Sequence, residues 1–317
     1  MKVYFSLFLI FSLSASALET DNYLVWDKEL PDVSTELNSL IINEVEDVLL
    51  KSAKDSLHLS CEDITFKIAD RFKTTPTKKL FENWTNAHLS QKMYPSGPYY
   101  LEESILKKSP RTYLKYSGLS PNVMVNGVYF GVDKLSHFGS TGRRYLKKYL
   151  DSKKSGLSDE EAVHKAIFLG LQNEQTVLGI WASGVYSYAD VEANYQGLLF
   201  YKNFCLNKKD TFLDLNNGKW HLVRQPDLRN YVNPLWDETF NFSYFTPKTW
   251  SESSKIILSA YCPLVASPLR MMRLNHYQTI FSDSTSSLLV KKLQASSDKL
   301  TPIPQSFELL CLTGENI

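Results

Sequence analysis

The chain has 317 residues, with 35 Lys and Arg against 34 Asp and Glu. A net charge near zero, with no basic stripe, argues against a nucleic-acid partner, and no stretch after the first residues is long and uncharged enough to span a membrane. The 18 Tyr and 17 Phe suit either a sugar-facing cleft or a well-filled core.

At the N-terminus, Lys2 precedes the apolar run VYFSLFLIFSL and the small-residue site Ala15-Ser16-Ala17. This reads as a secretory signal peptide over residues 1–17, so the expected mature chain starts near Leu18 and is secreted or periplasmic. Helical spacing covers 34–56 from a Ser34-Thr35-Glu36 start, then about 61–73, KLFENWTNAHL at 79–89, and about 98–108. In 118–132, the Asn126-Gly127 pair between apolar stretches predicts a loop or small hairpin. Helices are expected again at about 133–151, 158–175 and 188–204. Beyond Cys205 come polar turns and scattered aromatics, an irregular segment with a few short strands, and then a last helical region at about 250–296. The aromatics around Trp220, Trp236 and Trp250 fit a sugar-stacking wall or a core equally well. Cys61, Cys205, Cys262 and Cys311 lack a C-x-x-C spacing for zinc and are expected to form two disulfides. Of the three possible connectivities, the one joining Cys262 to Cys311 is preferred because it ties down the C-terminal tail. The expected fold class is mostly α, with a small β-hairpin and an irregular aromatic-rich C-terminal part. Its regions would be 18–110, 111–205 and 206–317.

The most informative run is the helix at 158–175 together with residues 176–204. Ser158 can cap that helix, and Asp159, Glu160 and Glu161 favour its N-terminal dipole. Glu174 lies in its last turn, where the dipole disfavours a negative charge. Val177, Leu178, Ile180 and Trp181 are expected to roof it and push its pKa up, as a general acid at neutral pH requires. Two short strands with an Ala182-Ser183-Gly184 turn should come next, Gly184 supplying a positive φ. Tyr186 and Tyr188 then share one strand face. The next helix is capped by Ser187 or by Tyr188-Ala189-Asp190, and Asp190 and Asn194 share a face one turn apart.

The order helix, terminal glutamate, short hairpin, helix resembles the core of the lysozyme superfamily, which includes the lytic transglycosylases. The stretch NEQTVLGIWASGVYSYADVEANYQGLLFYKN is also similar to exported proteins of predatory bacteria, among them a lysozyme specific for deacetylated peptidoglycan. The resemblance covers about residues 130–205, less than a third of the chain. It implies a lysozyme-like catalytic core within 111–205, with Glu174 as catalytic acid and Tyr186 and Ser183 as cleft residues. The Glu-Ser opening and the Gly-Leu-Met-Gln of transglycosylases are absent, which favours hydrolysis over lytic chemistry.

Glycoside hydrolysis needs a second group beside the acid. Asp190 is the nearest carboxylate in sequence, although a helix N-terminus suits it equally as a cap. Tyr186 offers a π face or hydroxyl to positive charge. For the ammonium groups of a deacetylated glycan, Asp190, Glu192 and Asp133 are close enough in sequence. A second motif, Asp133-Lys134-Leu135-Ser136-His137-Phe138, places Asp133 and His137 one turn apart. They could ligate a metal with Glu174 and Asp190, cap and pack a helix, or contact substrate. No second His lies at ligand spacing, so no metal and no cofactor is expected. The motif also resembles the opening of VanZ-like envelope proteins, whose later helix is similar to ADVEANYQG. The functional expectation is therefore an exported, monomeric peptidoglycan hydrolase acting on glycan strands. Its catalytic residues would be Glu174 and Tyr186, with Ser183, Tyr188, Asp190, Asn194, Asp133 and His137 binding substrate. The alternative is a non-catalytic envelope protein of VanZ-like type.

Overall fold

The structure is a computed structural model describing residues 19–53, 59–75, 79–95, 100–108, 119–176, 179–207, 209, 211–281, 305 and 307–313. The expected signal peptide at 1–17 and the far part of the last helical region lie outside these residues. The described chain is mostly helical with three small two-stranded sheets, as the fold class anticipated.

Helix α1 (Ser34–Ser52) buries Leu37, Leu40, Ile41, Val45 and Val48, a three-and-four spacing that gives one apolar face. Helix α2 (Cys61–Arg71) opens on a capping box between Ser60 and Asp63, and α3 (Leu80–His88) comes next. The helix expected at 98–108 is instead a 3-10 turn at Tyr100–Glu102 with further turns after it. The reason is a contact distant in sequence. Asp21 accepts the Ser104 hydroxyl at 2.7 Å and the Ile105 amide at 2.8 Å, and the second bond takes a backbone donor that a helix would have used internally.

Strands β1 (Asn122–Val125) and β2 (Val128–Gly131) form the hairpin expected at Asn126-Gly127, with φ values of 52° and 76° at its two turn residues. Positive φ at both is what a tight two-residue hairpin requires. The chain then runs directly into α4 (Val132–Ser136), a π-helical turn at His137–Thr141, and α5 (Gly142–Lys154). After α6 (Asp159–Gln175), which starts on a Ser158–Glu161 capping box, the expected local hairpin does not form. Residues 179–184 make successive turns, with Ile180 N–H bonded to Glu174 O, Ser183 N–H to Gly179 O and Gly184 N–H to Ile180 O. Those bonds use amides that a first strand would need. Gly184 does take positive φ, at 81°. Strand β3 (Val185–Tyr186) finds its partner far along the chain, pairing Val185 with Phe245 and Tyr186 with Tyr244.

Helix α7 (Tyr188–Cys205) is central, with 15 of its 18 residues buried. Helices α2, α5 and α6 and the π turn all pack on it. Gly142 and Gly197 let two of these segments cross at backbone contact. A Cβ on Gly197 would lie 2.0 Å from Phe138 O and 3.0 Å from Gly142 Cα.

Beyond α7, β4 (Leu213–Asn216) and β5 (Lys219–Leu222) form a second hairpin. Strand β6 (Tyr244–Phe245) leads into α8 (Pro247–Ile256), and α9 (Pro268–Ile280) and α10 (Phe307–Thr313) follow. Trp236, Trp250, Tyr231 and Phe245 are buried, and Trp220, Phe240, Phe242 and Tyr244 pack partly buried against the core, so much of this aromatic segment is core. Both disulfides are formed, Cys61 with Cys205 and Cys262 with Cys311, as suits an oxidising compartment outside the cytoplasm. No helix among the described residues is long and apolar enough to cross a membrane.

Candidate functional site

Three helices bring most of the expected residues to one buried centre. Helix α4 supplies Asp133 and Lys134, the π turn at its end supplies His137, the last turn of α6 supplies Glu174, and the first turns of α7 supply Asp190 and Asn194. A π turn inside a helix is a frequent mark of a functional position, and His137 is its first residue. Ser187 caps α7 through its hydroxyl, which accepts the Asp190 amide at 3.2 Å. The Asp190 carboxylate is thereby left to face the centre. Asp133 is no cap either, since α4 begins after Gly131 without a side-chain cap.

Lys134 is fully buried, and its ammonium lies 2.7 Å from each of Asp133 Oδ2, Asp190 Oδ1 and Glu238 Oε1. Three carboxylates share the one ammonium, Asp133 and Glu238 through hydrogen bonds and Asp190 as an ion pair. Burial opposes the lysine charge, but the three carboxylates outweigh it and raise its pKa well above the ordinary value. The shell around them is also bonded. Thr20 donates to Asp133 at 2.8 Å and Ser187 to Glu238 at 2.7 Å. His137 places Nε2 3.2 Å from Asp190 Oδ2 and Nδ1 3.1 Å from Asn194 Oδ1.

Glu174 takes no part in these contacts. It is 1% exposed, yet neither carboxyl oxygen makes a hydrogen bond of normal geometry. Burial, followed by the charges of Asp190 and Glu19, pushes its pKa well above the ordinary carboxylate range, and the approaching Ser187 backbone N–H offsets only a little of this. Glu19, from the first described residues, is raised by burial first and then by Asp190 and Glu238. Burial also raises Asp133, and lifts Glu238 to about 7 against the pull of Lys134. Five carboxyl groups, Glu19, Asp133, Glu174, Asp190 and Glu238, thus surround one ammonium and one imidazole.

Some expected residues take other places. Tyr186 is fully buried with its hydroxyl unbonded, its ring 5.0 Å from that of Tyr188. Ser183 is buried, bonded to Gly179 O and Val185 N–H in its own turn, and its side chain also meets the Glu19 carboxyl at the edge of the centre. Tyr188 is 8% exposed. Glu192 is bonded to Gln196 and Asn233. Trp181 is 63% exposed and forms no roof over Glu174, while Val177 and Leu178 lie outside the described residues. The roles of Lys134, Glu238 and Glu19 are absent from the sequence-based expectations. Lys134 carried a signal, since a lysine among Val132, Leu135 and Phe138 at a helix start has to be buried or to snorkel. Glu19 and Glu238 reach the centre only through tertiary folding.

The centre is enclosed, with His137 5% and Asp190 2% exposed. A cleft of about 980 Å³ lies elsewhere, lined by Gln196, Asn203, Arg224, Tyr231 and Asn233 among others, and not by Glu174. No family model, no curated protein and no solved structure matches this chain.

Proposed function

We propose that the protein is an exported glycoside hydrolase of lysozyme type that cleaves peptidoglycan glycan strands, with Glu174 as proton donor. One observation carries the reading: Glu174 is buried beside Asp190 with both carboxyl oxygens unbonded. Nearly all buried polar atoms are hydrogen-bonded, and an exception calls for an explanation. A carboxyl group that must stay protonated until it gives its proton away supplies one. In this mechanism the proton passes from Glu174 to the glycosidic oxygen as the C1–O bond breaks. Asp190, held by Lys134 and His137, faces the positive charge that develops on the sugar ring, and water completes the hydrolysis. Export agrees with the two disulfides. A preference for deacetylated walls comes from the family resemblance alone.

Enclosure of the centre favours a second reading, a non-catalytic envelope protein in which these residues form a buried structural network. The unbonded oxygens of Glu174 weigh against it, because a network that serves stability alone gains by satisfying every member.

The deciding experiment is turbidity clearance of native and chemically deacetylated peptidoglycan by the mature protein and by Glu174→Gln, both shown to be folded by circular dichroism. Clearance with release of reducing ends by the wild type alone supports the hydrolase. Failure to clear either wall supports the envelope reading.

A further inference from the structure

We propose that His137, Glu174 and Asp190 form a binding site for a divalent transition-metal ion. One ligand atom from each residue can be chosen so that all lie within 4.8 Å of one another. An ion held at roughly 2.0–2.2 Å from nitrogen and oxygen ligands sets those ligands about 3–4 Å apart. The His137 Nε2 to Asp190 Oδ2 distance, 3.2 Å, is already in that range. The remaining closure is a side-chain adjustment of under about 1 Å, on the scale of the ligand spacings above.

Two observations point to an occupant. The first is the placement of His137, whose Nδ1 lies 3.1 Å from Asn194 Oδ1 while Nε2 lies 3.2 Å from Asp190 Oδ2, so that one ring nitrogen is anchored and the other is aimed at a carboxylate oxygen. The second is Glu174, whose carboxyl is buried with no hydrogen bond of normal geometry to either oxygen and offers one oxygen within 4.8 Å of the ligand atoms of His137 and Asp190. An ion would give that oxygen a partner and offset part of the excess of carboxylates over cations.

The outer contacts suit ligation too. Asn194 fixes the imidazole, and Lys134 holds the oxygen of Asp190 that does not face His137, the way neighbours of a metal site orient its ligands. Imidazole nitrogen with two carboxylates selects zinc, manganese or another first-row ion over calcium or magnesium. The chain's linear pattern argued against a metal, because no second His lies near Asp133. Asp133 in fact turns to Lys134 and Thr20.

The proposal does not rest on the glycosidase reading. Protonated and metal-bound Glu174 are alternative states of one carboxyl group, so cleavage by Glu174 would belong to the metal-free form. The test is therefore direct binding. Mature protein stripped with EDTA and desalted is loaded with Zn2+ or Co2+, desalted again, and measured by elemental analysis and, for Co2+, by visible absorption. About one equivalent bound, with a cobalt spectrum and a raised melting temperature, is expected. Glu174→Gln and His137→Ala should each lower retention at least tenfold, and exposed His221→Ala should not. Glu174→Gln, which keeps the side chain's size, carries the test if His137→Ala does not fold. Absence of bound metal in folded wild type, or undiminished retention in folded Glu174→Gln, overturns the proposal.

Discussion

At the scale of single residues, Lys134 and Glu174 share one buried centre and have opposite consequences for stability. Lys134 is the one ammonium among three carboxylates, 2.7 Å from each. Removing one partner of a buried ionic network leaves uncompensated charge, at a cost of about 3–5 kcal/mol. Lys134→Met is therefore expected to lower the urea unfolding free energy by that amount or to prevent folding. Glu174 makes no hydrogen bond of normal geometry that would be lost, and its charged form is opposed by burial and by Asp190 and Glu19. Glu174→Gln is expected to leave stability at neutral pH within about 1 kcal/mol of wild type or to raise it, the range of an ordinary side-chain hydrogen bond. A loss of several kcal/mol in the same urea titration would show that Glu174 belongs to the structural network.

At the scale of elements, the crossing of α5 and α7 sets the centre's geometry. The atoms that a methyl group on Gly197 would strike are the backbone carbonyl of Phe138 and the Cα of Gly142, and backbone cannot rotate aside as a side chain can. Gly197→Ala should cost about 1–3 kcal/mol or more through overpacking, read by chemical denaturation. It should also shift Asp190 and Asn194 relative to His137, because all three are carried on the crossing segments. The end of α6 shows why a local pattern misleads. Residues 179–184 alternate well enough for a strand, yet their amides bond within turns, and β3 is paired by β6. A two-residue strand has little intrinsic preference, so its partner is whichever edge the packing brings alongside.

At the scale of the whole molecule, the disulfides close loops of very different length, with sequence separations of 144 and 49. Loop-closure entropy makes the longer one worth about 1 kcal/mol more, within an overall range of roughly 2–5 kcal/mol each. Cys61→Ser with Cys205→Ser is thus expected to lower the melting temperature more than Cys262→Ser with Cys311→Ser. The buried acids set the pH dependence. Burial raises Asp21 from 3.8 to about 6 and Glu238 from 4.5 to about 7. The folded state therefore holds more protons than the unfolded chain between about pH 4 and 7, and stability falls as pH rises through that window. Urea midpoints should be higher at pH 5 than at pH 7.5, and Asp21→Asn should flatten the part of the curve below about pH 6. Exposed acids with lowered values, such as Glu36 beside Lys92, act below that window.

Short-range chemistry is legible in the chain alone. Ser158 and Glu161 cap one another three residues apart, Asn126-Gly127 turns a hairpin, and apolar spacing marks the helices that carry Asp133, His137, Glu174, Asp190 and Asn194. A C-terminal tail needs an anchor, and the link between Cys262 and Cys311 supplies it. Folding in three dimensions was needed to bring Glu238 and Glu19 to the centre, to set Lys134 against three acids, to let Asp21 replace a helix with turns, and to enclose Glu174 without a partner. These outcomes depend on groups far apart in sequence meeting in a low-dielectric interior, where a charge's partner is chosen by packing and burial, which a linear pattern does not encode.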